Sequence, residues 1–234
     1  MDHFLMFTVF FATLALAIPI AMCAHDGMPR AHHDFQDAGH WEEIFESPER
    51  DAWQKPDEVL RALALKPGHA VADLGAGTGY FTRRLAAAVG PDGSAIGLDL
   101  APEMVERMNN DAAARGISNC EARVVTPDDL GLAPGSVDVL FSCNVFHHIG
   151  DRPTYFGRII PALRPGGRVV IVDFKPGELP VGPPPAQKVA PEQAIDEFRR
   201  AGYRLARAHD FLEYQYFLEF APAGPEQARS SGAR

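Results

Sequence analysis

Four groups of residues carry side-chain types and spacings from which chemistry can be built. Asp73, Gly75, Gly77 and Gly79 lie in the run VADLGAGTGYF, Val71 to Phe81. A second carboxylate, Asp99, closes the run SAIGLD. Adjacent histidines, His147 and His148, follow Asn144 in the stretch NVFHH. His32, His33, Asp34 and His40 form the fourth group, near the N-terminus. Glycine serves where backbone dihedrals are unusual or where a ligand must approach the main chain. A helix that begins just beyond such a turn offers free N–H groups and a positive dipole end. A hydrophobic strand, a glycine turn and a helix in that order predict a nucleotide-type site at the carboxyl end of a parallel strand.

The dinucleotide fingerprint requires G-x-G-x-x-G, and Tyr80 occupies the place of its third glycine, which disfavours NAD and an oxidoreductase. Histidine titrates near neutrality, so His147 or His148 is a candidate general base, with a structural, backbone-capping role as the alternative. The N-terminal histidine group lacks the cysteine or tight helical pair that completes a four-ligand metal set, so it reads as an exposed polar segment and no metal is expected. Tyr214 and Tyr216 alternate along a strand and share a face, which suits core or cleft lining.

These groups need a scaffold, and the chain can supply one. Its 234 residues, 46% of them hydrophobic, suffice for one proper core. The formal charge of −9 comes from 31 acidic and 22 basic residues, without a basic cluster, which disfavours nucleic-acid partners. Cys23, Cys120 and Cys143 are too widely spaced for a disulfide framework or a zinc site.

Phe4 to Cys23 is almost wholly apolar and resembles a secretory signal, with Ala21 to Ala24 as a small-residue cleavage region. Its length also suits an uncleaved membrane anchor, the one expected membrane contact. Asp2 and His3 replace the usual basic residues, and a start at Met28 would instead open a cytoplasmic protein. The expected organisation is therefore a signal peptide or anchor over 1–24, giving a periplasmic, secreted or anchored protein. One domain over 25–221 follows, with a helical N-terminal cover over about 35–65, and then a disordered tail over 222–234.

Within the domain, Trp41, Ile44 and Phe45 fall on one helical face, and Val59, Leu60, Leu63 and Leu65 continue a second apolar helix after Pro56. Beyond the glycine turn, strands and helices alternate. Strands are predicted at 94–99, 120–125, 137–142 and 168–173. Helices are predicted at 81–89, 102–115 and 154–163. Such alternation implies a parallel sheet with helices on both faces. The segment KPGELPVGPPPAQKVAP reads as an extended loop over the sheet edge. A helix at 192–201 and two closing strands, 203–209 and 214–220, follow.

The pattern D-x-G-x-G-x-G after a hydrophobic strand resembles motif I of the class I S-adenosylmethionine-dependent methyltransferases. Asp99 at the end of the second strand and the L-x-P-G-G stretch from Leu163 extend the resemblance from about Val59 to Phe220. It implies an α/β, Rossmann-like, seven-stranded and mostly parallel sheet whose last strand is antiparallel. It also implies methyl transfer from S-adenosyl-L-methionine to a small-molecule acceptor. Under it, amides of Gly75, Ala76, Gly77 and Gly79 receive the cofactor carboxylate, and Asp73 orders the loop or meets the ammonium. Asp99 accepts the ribose hydroxyls, Leu100 or Met104 flanks adenine, Asp128 substitutes for an adenine-binding acid, and Asn144 is a further cofactor-binding residue. More narrowly, the N-terminal segment and the VGPPP loop resemble exported bacterial methyltransferase-like proteins. For an exported chain, a binding module that retains the fold without catalysis is the alternative. Arsenite methyltransferase is superficially similar, but its chemistry needs grouped thiolates, for which Cys120 and Cys143 are too few.

Overall fold

A computed structural model describes residues 46–224, in which seven strands form one sheet. Two short helices open this part of the chain, α1 (Pro48–Gln54) and α2 (Pro56–Leu63), each with proline at the start, where its missing N–H costs nothing. Then follow β1 (Ala70–Leu74), α3 (Tyr80–Val89), β2 (Ser94–Asp99), α4 (Pro102–Ala114) and β3 (Cys120–Val124). The second half comprises β4 (Val137–Cys143), α5 (Arg152–Gly157), β5 (Leu163–Phe174), α6 (Pro191–Arg200), β6 (Tyr203–His209) and β7 (Gln215–Pro222).

The strand order is β3-β2-β1-β4-β5-β7-β6. Strands β1 to β5 pair in parallel, while β7 runs antiparallel to both β5 and β6. This is the expected sheet. Chain order reverses between β1 and β4, so the loops leaving these strands diverge and open a crevice above their carboxyl ends.

Period-two alternation sends side chains to two cores. Val71, Val139, Phe141, Val170 and Phe217 pack with α2 and α3. Leu74, Leu140, Ile171, Leu218 and Phe220 pack with α5 and α6. In the second core Phe198 stacks on Phe220 at 3.8 Å and lies 4.5 Å from Phe156, centroid to centroid.

One expected element differs. The helix predicted over 154–163 is the shorter α5 followed by a tight turn at Ile160–Ala162, because Gly157 and Pro161 interrupt the helical ladder. The stretch Arg164–Gly167 does not precede β5 but lies inside it. The pairing slips from Val137↔Leu163 to Val139↔Arg168, and Gly166 takes a φ of +83° within that irregularity. The helical face at Trp41, Ile44 and Phe45, the leader at 1–24 and the tail from 225 lie outside the described residues. No described helix is long and apolar enough to cross a membrane.

Phe198 is 1% exposed and joins four aromatic neighbours, so its loss leaves a cavity that α6 and β7 cannot both fill. Phe198→Ala is expected to cost about 3–5 kcal/mol in urea unfolding. A loss under about 1 kcal/mol would show that this core is not packed as described.

Candidate functional site

The crevice begins at the glycine turn. Gly75, Gly77 and Gly79 have φ values of +69°, +56° and +84°, a region that L side chains rarely adopt. Space is as restrictive as conformation. A Cβ on Gly75 would lie 2.3 Å from Val145 Cγ2, and one on Gly79 would lie 2.7 Å from Met108 Cγ. Glu46 braces the turn from outside, accepting from the Thr78 hydroxyl at 2.8 Å and pairing with Arg83 at 2.7 Å.

The turn's own amides are already engaged. Gly75 and Ala76 N–H donate to Leu98 O, Gly79 N–H to Ala76 O, and Gly77 N–H to Asp99 Oδ2 at 2.8 Å. Asp99 Oδ1 accepts from Ala101 N–H at 3.0 Å. Asp99 is thus fixed by one bond on each oxygen, and a carboxylate with about four lone-pair sites keeps acceptors for a diol. It does not cap α4, whose capping residue is Ala101. Leu100, next along, is 57% exposed and leaves an apolar surface at the mouth of the crevice.

Asp73, at the next-to-last position of β1, is buried and accepts from Thr82 Oγ1 at 2.6 Å, which ties β1 to the first turn of α3. Burial raises its pKa from 3.8 to about 7, against the lowering effects of the Thr82 bond and the Arg50 charge. Arg50 had no signal in the sequence. It reaches in from α1, its guanidinium 3.8 Å from the Tyr80 ring centroid, and its charge acts on both Asp73 and Cys143. Tyr80 OH donates to Asp51, and the Arg84 guanidinium lies 4.1 Å from the same ring. Cys143 is buried, and burial pushes its thiol up to about 12, so it is no nucleophile at neutral pH.

The opposite wall is the turn after β4. Asn144 takes a left-handed φ of +63°. Its side chain enters a buried ring of amides: Gln54 Nε2 donates to Gln215 Oε1 at 2.6 Å, Gln215 Nε2 to Asn144 Oδ1, and Asn144 Nδ2 to Gln54 Oε1 at 3.3 Å. Three residues on, His147 N–H donates to Asp173 Oδ2 at 3.0 Å, and His147 Nδ1 lies 2.8 Å from Asp173 Oδ1. A carboxylate only accepts, so Nδ1 carries a proton, and in the neutral ring the lone pair falls on Nε2. The His147 side chain is 4% exposed. The exposed His148 ring lies 4.0 Å away, and Phe174 links His147 to Trp53 of α1 at centroid distances of 6.3 and 5.8 Å.

The structure therefore gathers Asp73, the glycine turn, Asp99, Asn144 and His147 along the carboxyl ends of β1, β2 and β4. Asp128 turns away: its side chain is 89% exposed and pairs with Arg158 at 3.0 Å. Tyr214 precedes β7, whereas Tyr216 is buried opposite Asp173. Asp173, at the end of a run read as a plain buried strand, is the second residue the sequence concealed. His32, His33, Asp34 and His40 lie outside the described residues.

Asp73 generates a pH prediction. Its native pKa lies above that of the free carboxyl, so folding takes up a proton and wild-type stability falls as pH rises from about 4 to about 7. Asp73→Asn keeps an acceptor for Thr82 and has no charge to bury. The variant is expected to gain roughly 2–4 kcal/mol over the wild type between pH 4 and pH 8. Thermal or urea unfolding at both pH values checks this, and an equal difference at the two would contradict it.

The comparisons with known proteins agree with this geometry. The family described as a methyltransferase domain matches residues 65–219. Arsenite methyltransferase of Halobacterium salinarum is 38% identical over 110 residues, 47% of this chain and 28% of that protein. The 27-O-demethylrifamycin SV methyltransferase of Amycolatopsis mediterranei is 28% identical over 194 residues, 81% of this chain and 66% of that protein. Nocamycin O-methyltransferase of Saccharothrix syringae is 31% identical over 126 residues, 54% of this chain and 43% of that protein. The chain thus spans less than two thirds of the length of each of these relatives. Among solved structures, a SAM-dependent methyltransferase from Aquifex aeolicus shares the fold with a TM-score of 0.74 at 24% identity, covering 79% of this chain and 97% of that one. With its seven-stranded sheet, its glycine turn and a family match across most of its length, the chain belongs to the class I S-adenosylmethionine-dependent methyltransferases.

Proposed function

We propose that this methyltransferase acts on a hydroxyl group of a small organic acceptor, with His147 as general base. The observation that carries the reading is the His147–Asp173 pair beside the glycine turn. Two relatives, named for O-methylation of rifamycin and nocamycin compounds, support a hydroxyl acceptor.

The crevice suits the donor's chemistry. Arg50 and Asp73 offer opposite charges to a zwitterionic amino-acid end, Asp99 offers acceptors to a ribose diol, and Leu100 offers an apolar face to adenine. Bound S-adenosylmethionine supplies a methyl group already activated on a sulfonium. The protein's contribution is positioning and proton removal. Asp173 holds the imidazole by Nδ1, and Nε2 would take the acceptor's proton as the acceptor oxygen displaces the methyl group from sulfur, the carbon–sulfur bond pair staying on the thioether that leaves. The near-complete cover over His147 keeps water from competing for the base. Acceptor entry therefore requires a covering ring to move, and His148 is the exposed one.

The test combines calorimetric titration of S-adenosylmethionine with turnover on a panel of phenols and enols. Asp99→Ala and Arg50→Met are expected to weaken cofactor binding about tenfold or more. His147→Ala is expected to leave binding within about threefold and to lower turnover about 10²-fold. A wild type that binds no cofactor would end the enzyme reading, and full turnover in His147→Ala would end the base assignment.

We also propose that residues 1–24 direct export or anchor the protein, from their apolar composition. N-terminal sequencing of the native protein tests this, and a chain beginning at Met28 would end it.

A further inference from the structure

We infer that Gln54 and Gln215 are positioning residues, which act through Asn144 to set the turn that carries His147. The inference rests on the reading of His147 as the base.

The amide ring is closed and runs in one direction. Gln54 donates to Gln215, Gln215 to Asn144, and Asn144 back to Gln54, so each side chain gives one hydrogen bond and takes one. Cys143 Sγ adds a weak donor to Gln54 Oε1 at 3.5 Å. Gln54 and Gln215 are fully buried and stand 161 positions apart. The ring therefore exists only when the last residue of α1 and the first of β7 both seat over the end of β4. A satisfied polar ring in a low-dielectric interior admits one arrangement and penalises its neighbours.

That specificity is needed at Asn144. A side chain with a Cβ holds a φ of +63° only where its surroundings over-determine it, and asparagine tolerates that region better than most. Its backbone N–H is pinned to Val172 O at 2.9 Å, and its side chain is held at both polar atoms by the ring. The reversal at Asn144 aims the following residues in two directions. Val145 goes against Gly75, where even a Cβ would overlap it. His147 goes onto Asp173, through its backbone N–H and Nδ1. One turn thus touches the donor-side loop and carries the acceptor-side base, and the ring sets its hand. Gln54 and Gln215 touch neither His147 nor Asp173 by hydrogen bond; their effect runs through Asn144.

The experiment reads the His147 tautomer by ¹⁵N NMR of histidine-labelled full-length protein, together with calorimetric binding of S-adenosylhomocysteine. Gln215→Glu keeps the shape but loses the donor to Asn144, and Gln54→Met keeps the volume but loses both ring bonds and the acceptor for Cys143. Asn144→Gly tolerates the same φ without a side chain in the ring. The wild type is expected to show the Nδ1–H form. Each variant is expected to shift His147 toward the Nε2–H form that free imidazole favours and to weaken S-adenosylhomocysteine about threefold or more. An unchanged His147 tautomer in any variant that folds would overturn the positioning role. If one variant fails to fold, the other two still decide. The tautomer needs no turnover. Shifted signals with wild-type activity in His147→Ala would refute the base and keep the ring's role.

Discussion

The crevice depends on one close approach, that of Val145 to Gly75. The loop leaving β1 and the turn leaving β4 share a space that a single Cβ would fill, since it would lie 2.3 Å from Val145 Cγ2. The two strands are neighbours in the sheet, yet their connections run to opposite sides of it. Only a residue without a side chain, in a left-handed conformation, lets both leave the sheet here. From that contact the loop after β1 and the turn after β4 behave as one wall, and a shift in either is felt in the other.

Around it, the carboxyl ends of the strands are lined by polar groups that the interior can hold only in pairs. Asp73 is bonded to Thr82, His147 to Asp173, and Gln54, Gln215 and Asn144 to one another. Each arrangement answers the cost of burying a polar group, and each joins elements that are distant in sequence. The two apolar cores below can tolerate repacking among similar shapes. The polar layer cannot, because a lost partner leaves a buried donor or acceptor unmatched. Stability thus comes from the cores, and the geometry of the site from the polar layer.

Asp73 shows the two demands in conflict. Its burial holds the carboxyl near neutrality, a cost to folding that a hydrophobic residue would avoid. Arg50 and Thr82 offset part of it. The same logic keeps Cys143 out of the chemistry, because burial of its thiol outweighs the nearby charge of Arg50.

What the sequence alone determined was whatever rests on local backbone rules and strand period. The glycine turn, the alternation of strands and helices, the acid at Asp99 and the histidines at 147 and 148 could all be read there. The predicted 154–163 helix failed because Gly157 and Pro161 break it locally and the bulge in β5 is settled by pairing with β4. The tertiary structure alone decided the partners. Arg50 and Gln54 sit in a polar, unpatterned segment, Gln215 and Asp173 in strands that read as packing, and Asp128 in a loop that the fold turns to solvent. The physical reason is range. Dihedral preference and amphipathic period act within a few residues, whereas a buried hydrogen bond is specified by whatever residue packing brings opposite it.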